Sequence, residues 1–215
     1  KLFLRAADDF LRRGIDLLFD AAVASLDPKE KIVSFHSGKQ IRYQKLLIAS
    51  GGRVKPWGMP RDAAYVYRLQ TLDDADRLAR ALPAIKKPLV VGSSFIALEF
   101  LEIFVLNQSA PTLLIRGPHF FPEMLDAAGG ALLEENFKKH GVSVQADDEV
   151  ARIEETGSAA RIKTKALRDI EADAVAVGIG VERNREFLAG SGIEAGERGI
   201  TTNEFLEINA PDVWA

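Results

Sequence analysis

The segment PLVVG (88–92) constrains this chain more than any other. Its apolar residues run without alternation, as in a strand buried on both faces of a parallel sheet, and the run ends in glycine. SSFIALEFLEIFVLNQ (93–108) has helical character, PTLLIR (111–116) reads as a second strand, and Gly117-Pro118 breaks the chain. Strand, glycine, helix and parallel strand form a βαβ unit.

Such a unit binds dinucleotides when its turn lets the backbone approach a pyrophosphate. A first glycine makes the tight turn, a second admits the phosphates, and a small third residue lets helix and strand pack. Here the six positions of that G-x-G-x-x-G/A pattern are Gly92, Ser93, Ser94, Phe95, Ile96 and Ala97. Gly92 and Ala97 fit. Ser94 departs from the pattern: its side chain would enter the phosphate space, or its hydroxyl would bond a phosphate oxygen. The alternative is a structural turn without a ligand.

The second strand of such a unit ordinarily ends in an acid that binds the ribose 2′-hydroxyl. Arg116 occupies that place. A guanidinium pairs with a 2′-phosphate, and a charge-assisted hydrogen bond contributes about 1.5–3 kcal/mol. NADPH is therefore expected over NADH, with His119 as a second phosphate partner; a merely solvated Arg116 is the alternative.

The flanking segments carry less. Leu2, Phe3, Ala6, Phe10 and Leu11 are spaced as in a helix over 1–14 that stops at Gly14. Short β-like runs fill 15–49, with turns at Asp27-Pro28 and Ser37-Gly38. LLIAS (46–50) feeds Gly51-Gly52, and 53–69 reads as loop with Pro56, Gly58 and Pro60. Thr71 caps a helix that carries Asp73 and Asp74 in its first turn and stops at Pro83. A helix over 125–140, a strand at 141–147, a hairpin-like stretch and a buried strand ADAVAVGIG (172–180) follow.

Composition excludes several classes. The 215 residues carry 28 Lys and Arg against 31 Asp and Glu, a net charge of −3, so there is no basic footprint for nucleic acid. No apolar run reaches the length of a membrane span. Cysteine is absent, which removes thiolate chemistry from this chain, and the three histidines, His36, His119 and His140, show no metal-ligand spacing.

Together these segments resemble the FAD-dependent pyridine nucleotide–disulfide oxidoreductase superfamily, in particular its branch of ferredoxin, rubredoxin and related NAD(P)H reductases. IRYQKLLIASGGRVKPWGMP is similar to the family's Y-D-x-L-[IV]-[IL]-A-T-G strand and proline loop, and YRLQTLDDADRL to its linker helix. LVVGSSFIALEF resembles V-V-G-G-G-x-I-G-x-E, EADAVAVGIGVERN resembles A-D-x-V-x-x-G-x-G-x-x-P-N, and GITTNEFLEINAPDVWA resembles the return segment.

The resemblance implies an α/β fold: a Rossmann-like NAD(P) domain, with parallel sheet and β-meander, at 69–186, inserted in a partial FAD domain at 1–68 and 187–215. The family's N-terminal glycine-rich loop and C-terminal interface domain have no counterpart, so a truncated piece is expected. The resemblance places Gly92, Ser93, Ser94, Phe95 and Ile96 at the pyrophosphate and nicotinamide, and Glu99 near the nicotinamide. It places Gly178, Ile179 and Gly180 beside the nucleotide, and Ala49, Ser50, Gly51 and Arg53 against FAD. Arg183 stands where the family has proline. The implied chemistry is hydride transfer from NADPH or NADH to FAD, then electron transfer to an acceptor such as a ferredoxin or rubredoxin. No side chain is assigned as acid or base. A cytoplasmic location is the default expectation. The other reading is a degenerate nucleotide-fold module that binds a partner through the apolar helix segment FLEIFVL (100–106).

Overall fold

The structure is a computed structural model that describes residues 5–58, 63–156 and 159–215. Leu2, Phe3 and Pro60, which figure in the expectations above, lie outside the described residues. The chain divides into two compact units, Lys1–Gly52 with Arg183–Ala215, and Arg53–Glu182.

In the first unit the expected long N-terminal helix is a single short one, α1 (Ala7–Leu11), whose N-cap residue Ala6 has no side-chain acceptor to offer. The first strand, β1 (Val23–Asp27), pairs antiparallel with β2 (Ile32–Phe35), which pairs with β3 (Gln40–Arg42). Residues 15–22, expected to be β-like, precede the meander, with Leu18 and Phe19 exposed. β4 (Leu46–Leu47) lies parallel to the last strand of the chain, with Leu46 opposite Val213.

β5 (Gly52–Val54) leads into the second unit, where β6 (Val66–Tyr67) is followed by α2 (Leu72–Ala81). A reciprocal capping box starts α2: the Thr71 hydroxyl accepts the Asp74 amide at 3.2 Å, and the Asp74 carboxylate accepts the Thr71 amide at 2.9 Å. A 3-10 turn holding Pro83 ends it. Then come β7 (Pro88–Val91), α3 (Phe95–Leu106), β8 (Thr112–Leu114), α4 (Ala127–Lys139) and β9 (Ser143–Gln145). A three-stranded antiparallel meander, β10 (Val150–Thr156), β11 (Ala159–Thr164) and β12 (Asp169–Ala172), precedes β13 (Ala174–Val177).

The parallel sheet has the order β6-β13-β7-β8-β9. Its central strand β7 is buried at all four positions, as the unalternating PLVV run requires. Alternate residues serve opposite faces. Val90, Leu113 and Ala176 join Leu78, Phe100, Phe104 and Phe137 of the three helices in one core cluster. Leu89, Val91, Leu114 and Val177 join Val150, Ala160 and Ile162 of the meander in the other. The layers are thus helices, parallel sheet and antiparallel meander.

Most of the apolar run of α3 packs within this unit. Phe100, Leu101 and Phe104 are buried, and Ile96, Leu98, Ile103 and Val105 pack partly buried against the same cluster. Leu106, at the end of FLEIFVL, is exposed. The run 172–180 is not one strand: at Asp173 the carboxylate turns back to accept the Lys86 and Lys87 amides, separating β12 from β13. β14 (Val181–Arg183) pairs with β5, and the return segment carries the short hairpin β15 (Ala195–Gly196) and β16 (Gly199–Ile200), then β17 (Val213–Trp214).

Candidate functional site

The ends of β7 and β13 and the start of α3 meet around two glycines. Gly92 has φ +117°, a conformation that favours glycine, and a Cβ there would collide with the Gly178 backbone, 2.6 Å from its carbonyl carbon. A Cβ on Gly178 would in turn lie 2.6 Å from the Ala97 amide nitrogen and 2.8 Å from Ala97 Cα. The absence of side chains at 92 and 178, with only a methyl at 97, lets α3 begin directly at the sheet edge. Ile179 and Gly180 continue from that edge half-buried, and Gly180, with φ +91°, faces open space.

Ser94 is the N-cap of α3. Its hydroxyl accepts the Ala97 amide at 3.3 Å and donates to the Gly178 carbonyl at 2.6 Å. The side chain is therefore turned onto the protein as a structural cap, with its hydroxyl bonded to Gly178. The first amides of a helix lack acceptors within it, so this N-terminus still presents backbone donors and the positive dipole end. Phe95 projects outward at 62% exposure, with its ring 4.8 Å from Phe121, and Glu99 is exposed one turn further on.

Arg116 lies two residues past β8. The chain beyond β9 is held alongside it: the Asp147 amide donates to the Gly117 carbonyl, and the Asp148 amide to the Ile115 carbonyl, both at 3.1 Å. An open cavity of about 330 Å³ results, lined by Arg116, Asp147, Asp148, Glu149, Lys165 and Ala166. The Arg116 side chain is 84% exposed and 3.9 Å from Glu149, whose other oxygen pairs with Lys165 at 2.6 Å. The Lys165 hydrogen bond holds the Glu149 carboxyl below its ordinary range, with the charges of Lys165 and Arg116 adding to the effect. Asp148 is buried and pairs with Arg168 at 3.1 Å. Burial pushes its carboxyl up, but hydrogen bonds from Thr164, Ala166 and Glu149 and the Arg168 charge outweigh that and hold it down.

His119 does not point freely into this cavity. Its ring lies against Gly130 of α4, where a Cβ would fall 2.6 Å from His119 Cβ, and its Nδ1 is 3.1 Å from the Phe120 carbonyl. In the first unit, Ala49, Ser50 and Gly51 are exposed, and the Ser50 hydroxyl donates to the Asn184 carbonyl at 2.7 Å while Asn184 Nδ2 donates back at 3.0 Å. In the second, Arg53 pairs with Glu182 at 2.6 Å.

Sequence reasoning missed Glu149, Lys165 and Asp148. Their signal is three-dimensional: Glu149 reaches Arg116 only because β8 and β9 are neighbours. Among the described residues, no group of three or more His, Asp or Glu is placed to hold a metal, and no helix is long and apolar enough to cross a membrane.

A family profile described as pyridine nucleotide-disulphide oxidoreductase matches residues 6–215. The chain is 27% identical to the NADH-dependent phenylglyoxylate dehydrogenase subunit epsilon of Aromatoleum evansii, covering 100% of this chain and 51% of that protein. It is 29% identical to a monodehydroascorbate reductase of Solanum lycopersicum, covering 96% and 49%. Among solved structures, the covalent putidaredoxin reductase–putidaredoxin complex superposes with a TM-score of 0.89 at 25% identity, covering 100% of this chain and 53% of that one. The chain thus spans about half the length of the relatives it matches.

Proposed function

Because the chain belongs to the pyridine nucleotide-disulphide oxidoreductase family, we propose that it supplies the pyridine-nucleotide site of a flavin-dependent oxidoreductase, taking hydride from NAD(P)H. The observation that carries this is the contact of Gly92, Gly178 and Ala97, which leaves the α3 N-terminus at the sheet edge as a backbone cradle for a pyrophosphate.

In this reading the Gly92 turn and the first amides of α3 hold the pyrophosphate. Phe95, Glu99 and Ile179 flank the nicotinamide end. Arg116 faces the 2′ position of the adenosine ribose and favours NADPH. The exposed backbone at Ala49–Gly51, fixed by Ser50 and Asn184, fits as a rim of the flavin site. A bound FAD would supply the hydride acceptor for this chemistry. The likeness to the putidaredoxin reductase complex supports a small redox protein as acceptor. Residues 69–186 are proposed as the nucleotide domain, and 1–68 with 187–215 as parts of the flavin domain.

A second reading, preference for NADH, is favoured by the Glu149 carboxylate beside Arg116. Parallel fluorescence titrations with NADPH and NADH test both. Saturable binding with NADPH the tighter, and loss of at least about tenfold in NADPH affinity on Arg116→Glu, supports the first. Unchanged NADPH affinity in that variant supports the second, and no binding at millimolar concentrations rejects a nucleotide site in this chain.

A further inference from the structure

The 330 Å³ cavity at the end of β8 holds more charge than Arg116 alone. Asp148 and Arg168 neutralise each other, and Asp148 is buried and tied to the Glu149 and Ala166 amides, so that pair belongs to the scaffold. Four charged groups remain around the opening: Arg116, Lys165, Asp147 and Glu149. They sum to zero. One carboxylate, Glu149, engages both cations, Lys165 through one oxygen at 2.6 Å and Arg116 through the other at 3.9 Å.

We propose that Glu149 sets the nucleotide selectivity of this site, competing with a ribose 2′-phosphate for Arg116 and Lys165 while offering an acceptor to a free 2′-hydroxyl. The proposal rests on the reading of this cavity as the adenosine end of a pyridine-nucleotide site, and deepens the second, NADH reading of it. A 2′-phosphate carries between one and two negative charges near neutral pH. To reach Arg116 it must enter beside a carboxylate and take over a lysine that the carboxylate already holds. A 2′-hydroxyl meets neither cost and donates to the same carboxylate. Lys165 sits in the turn between β11 and β12, a part of the chain remote in sequence from the βαβ unit, and becomes a second phosphate cation only when Glu149 releases it. Both ion pairs are exposed at the cation, so the exchange requires no rearrangement of the core.

The test uses the full 215-residue chain and three forms of it: unaltered, Glu149→Gln, and Glu149→Gln with Lys165→Gln. Each is titrated with NADPH and NADH. Glu149→Gln keeps the side-chain size at a half-buried position and removes one negative charge. The expected result is NADPH affinity at least tenfold higher in Glu149→Gln, NADH affinity unchanged or lower, and most of the NADPH gain lost when Lys165 is also replaced. An unchanged NADPH-to-NADH ratio in Glu149→Gln, with both nucleotides still binding, overturns the role of Glu149 while leaving the nucleotide site intact. A gain fully retained in the double variant overturns the role of Lys165. Failure of every form to bind either nucleotide rejects the nucleotide reading itself, and the proposal with it.

Discussion

The Ser94 hydroxyl donates to the Gly178 carbonyl at 2.6 Å, although 84 residues of chain separate the two. The same oxygen caps α3 by accepting the Ala97 amide. One side chain therefore ties the start of the helix to the end of β13. Ser94→Ala removes the cap and leaves a buried carbonyl without its donor, at an expected cost of about 1–3 kcal/mol in urea unfolding. Ser94→Gly costs less at the cap. Because the native hydroxyl is bonded to the Gly178 carbonyl and the Ala97 amide, NADPH affinity in Ser94→Gly is expected to stay within about threefold of the parent. A large affinity gain in Ser94→Gly would show that the serine obstructs the ligand after all.

Gly178 and Gly180 look alike in sequence and differ in what surrounds them. A Cβ on Gly178 meets the Ala97 backbone at 2.6–2.8 Å, whereas one on Gly180 meets nothing within 4 Å. Gly178→Ala is expected to push α3 off the sheet, costing about 1–3 kcal/mol and nucleotide binding together. Gly180→Ala carries only the strain of φ +91°, about 1 kcal/mol. Thermal melts with and without NADPH separate the two: ligand stabilisation disappears only in Gly178→Ala.

The βαβ unit was legible because its evidence is local. An unalternating strand, a glycine and a long apolar helix declare themselves within 30 residues, and the Thr71 cap was equally plain. Element ends were less so. ADAVAVGIG reads as one strand because nothing nearby shows that Asp173 is bonded to the Lys86 and Lys87 amides, across the sheet. Apolar spacing and Gly14 suggest a helix over 1–14, whereas α1 is the five residues Ala7–Leu11, without a side-chain cap. In the site, the glycines were found by pattern, but the partner of Arg116 depends on the β8–β9 adjacency. Charge partners supplied by neighbouring strands leave no spacing to detect.

Acid stability follows from Asp148. Its folded-state carboxyl is held below the ordinary aspartate value, because hydrogen bonds and Arg168 outweigh burial. The stabilisation is complete above the unfolded value of about 3.9 and is lost as pH falls below it through the depressed folded value. Urea midpoints measured down an acid series should therefore fall in that range. Asp148→Asn is expected to flatten the drop and to cost about 1–3 kcal/mol near neutral pH, since an amide cannot repeat the charge-assisted bonds. An acid limb of unchanged slope in that variant would assign the effect to other carboxylates, of which Asp74 is the nearest in kind.

The first turn of α4 contains Gly129 and Gly130, where helix propensity alone favours alanine by about 1 kcal/mol per position. The structure gives Gly130 a reason. It is buried under the His119 ring, and a Cβ there would lie 2.6 Å from His119 Nδ1. Displacing that ring would break the Nδ1 contact to the Phe120 carbonyl and disturb Phe120, which packs edge-on against Phe137 at 5.3 Å. Gly130→Ala should therefore destabilise the unit, by about 1–2 kcal/mol net of the propensity gain. With His119 also replaced by glycine, which removes its Cβ together with the ring, the methyl group has room and the propensity gain returns. The double-mutant cycle is thus expected to show a favourable coupling of about 1 kcal/mol or more. Additive effects would mean that the ring moves aside at no cost, leaving His119 available to the cavity at Arg116 as a phosphate partner.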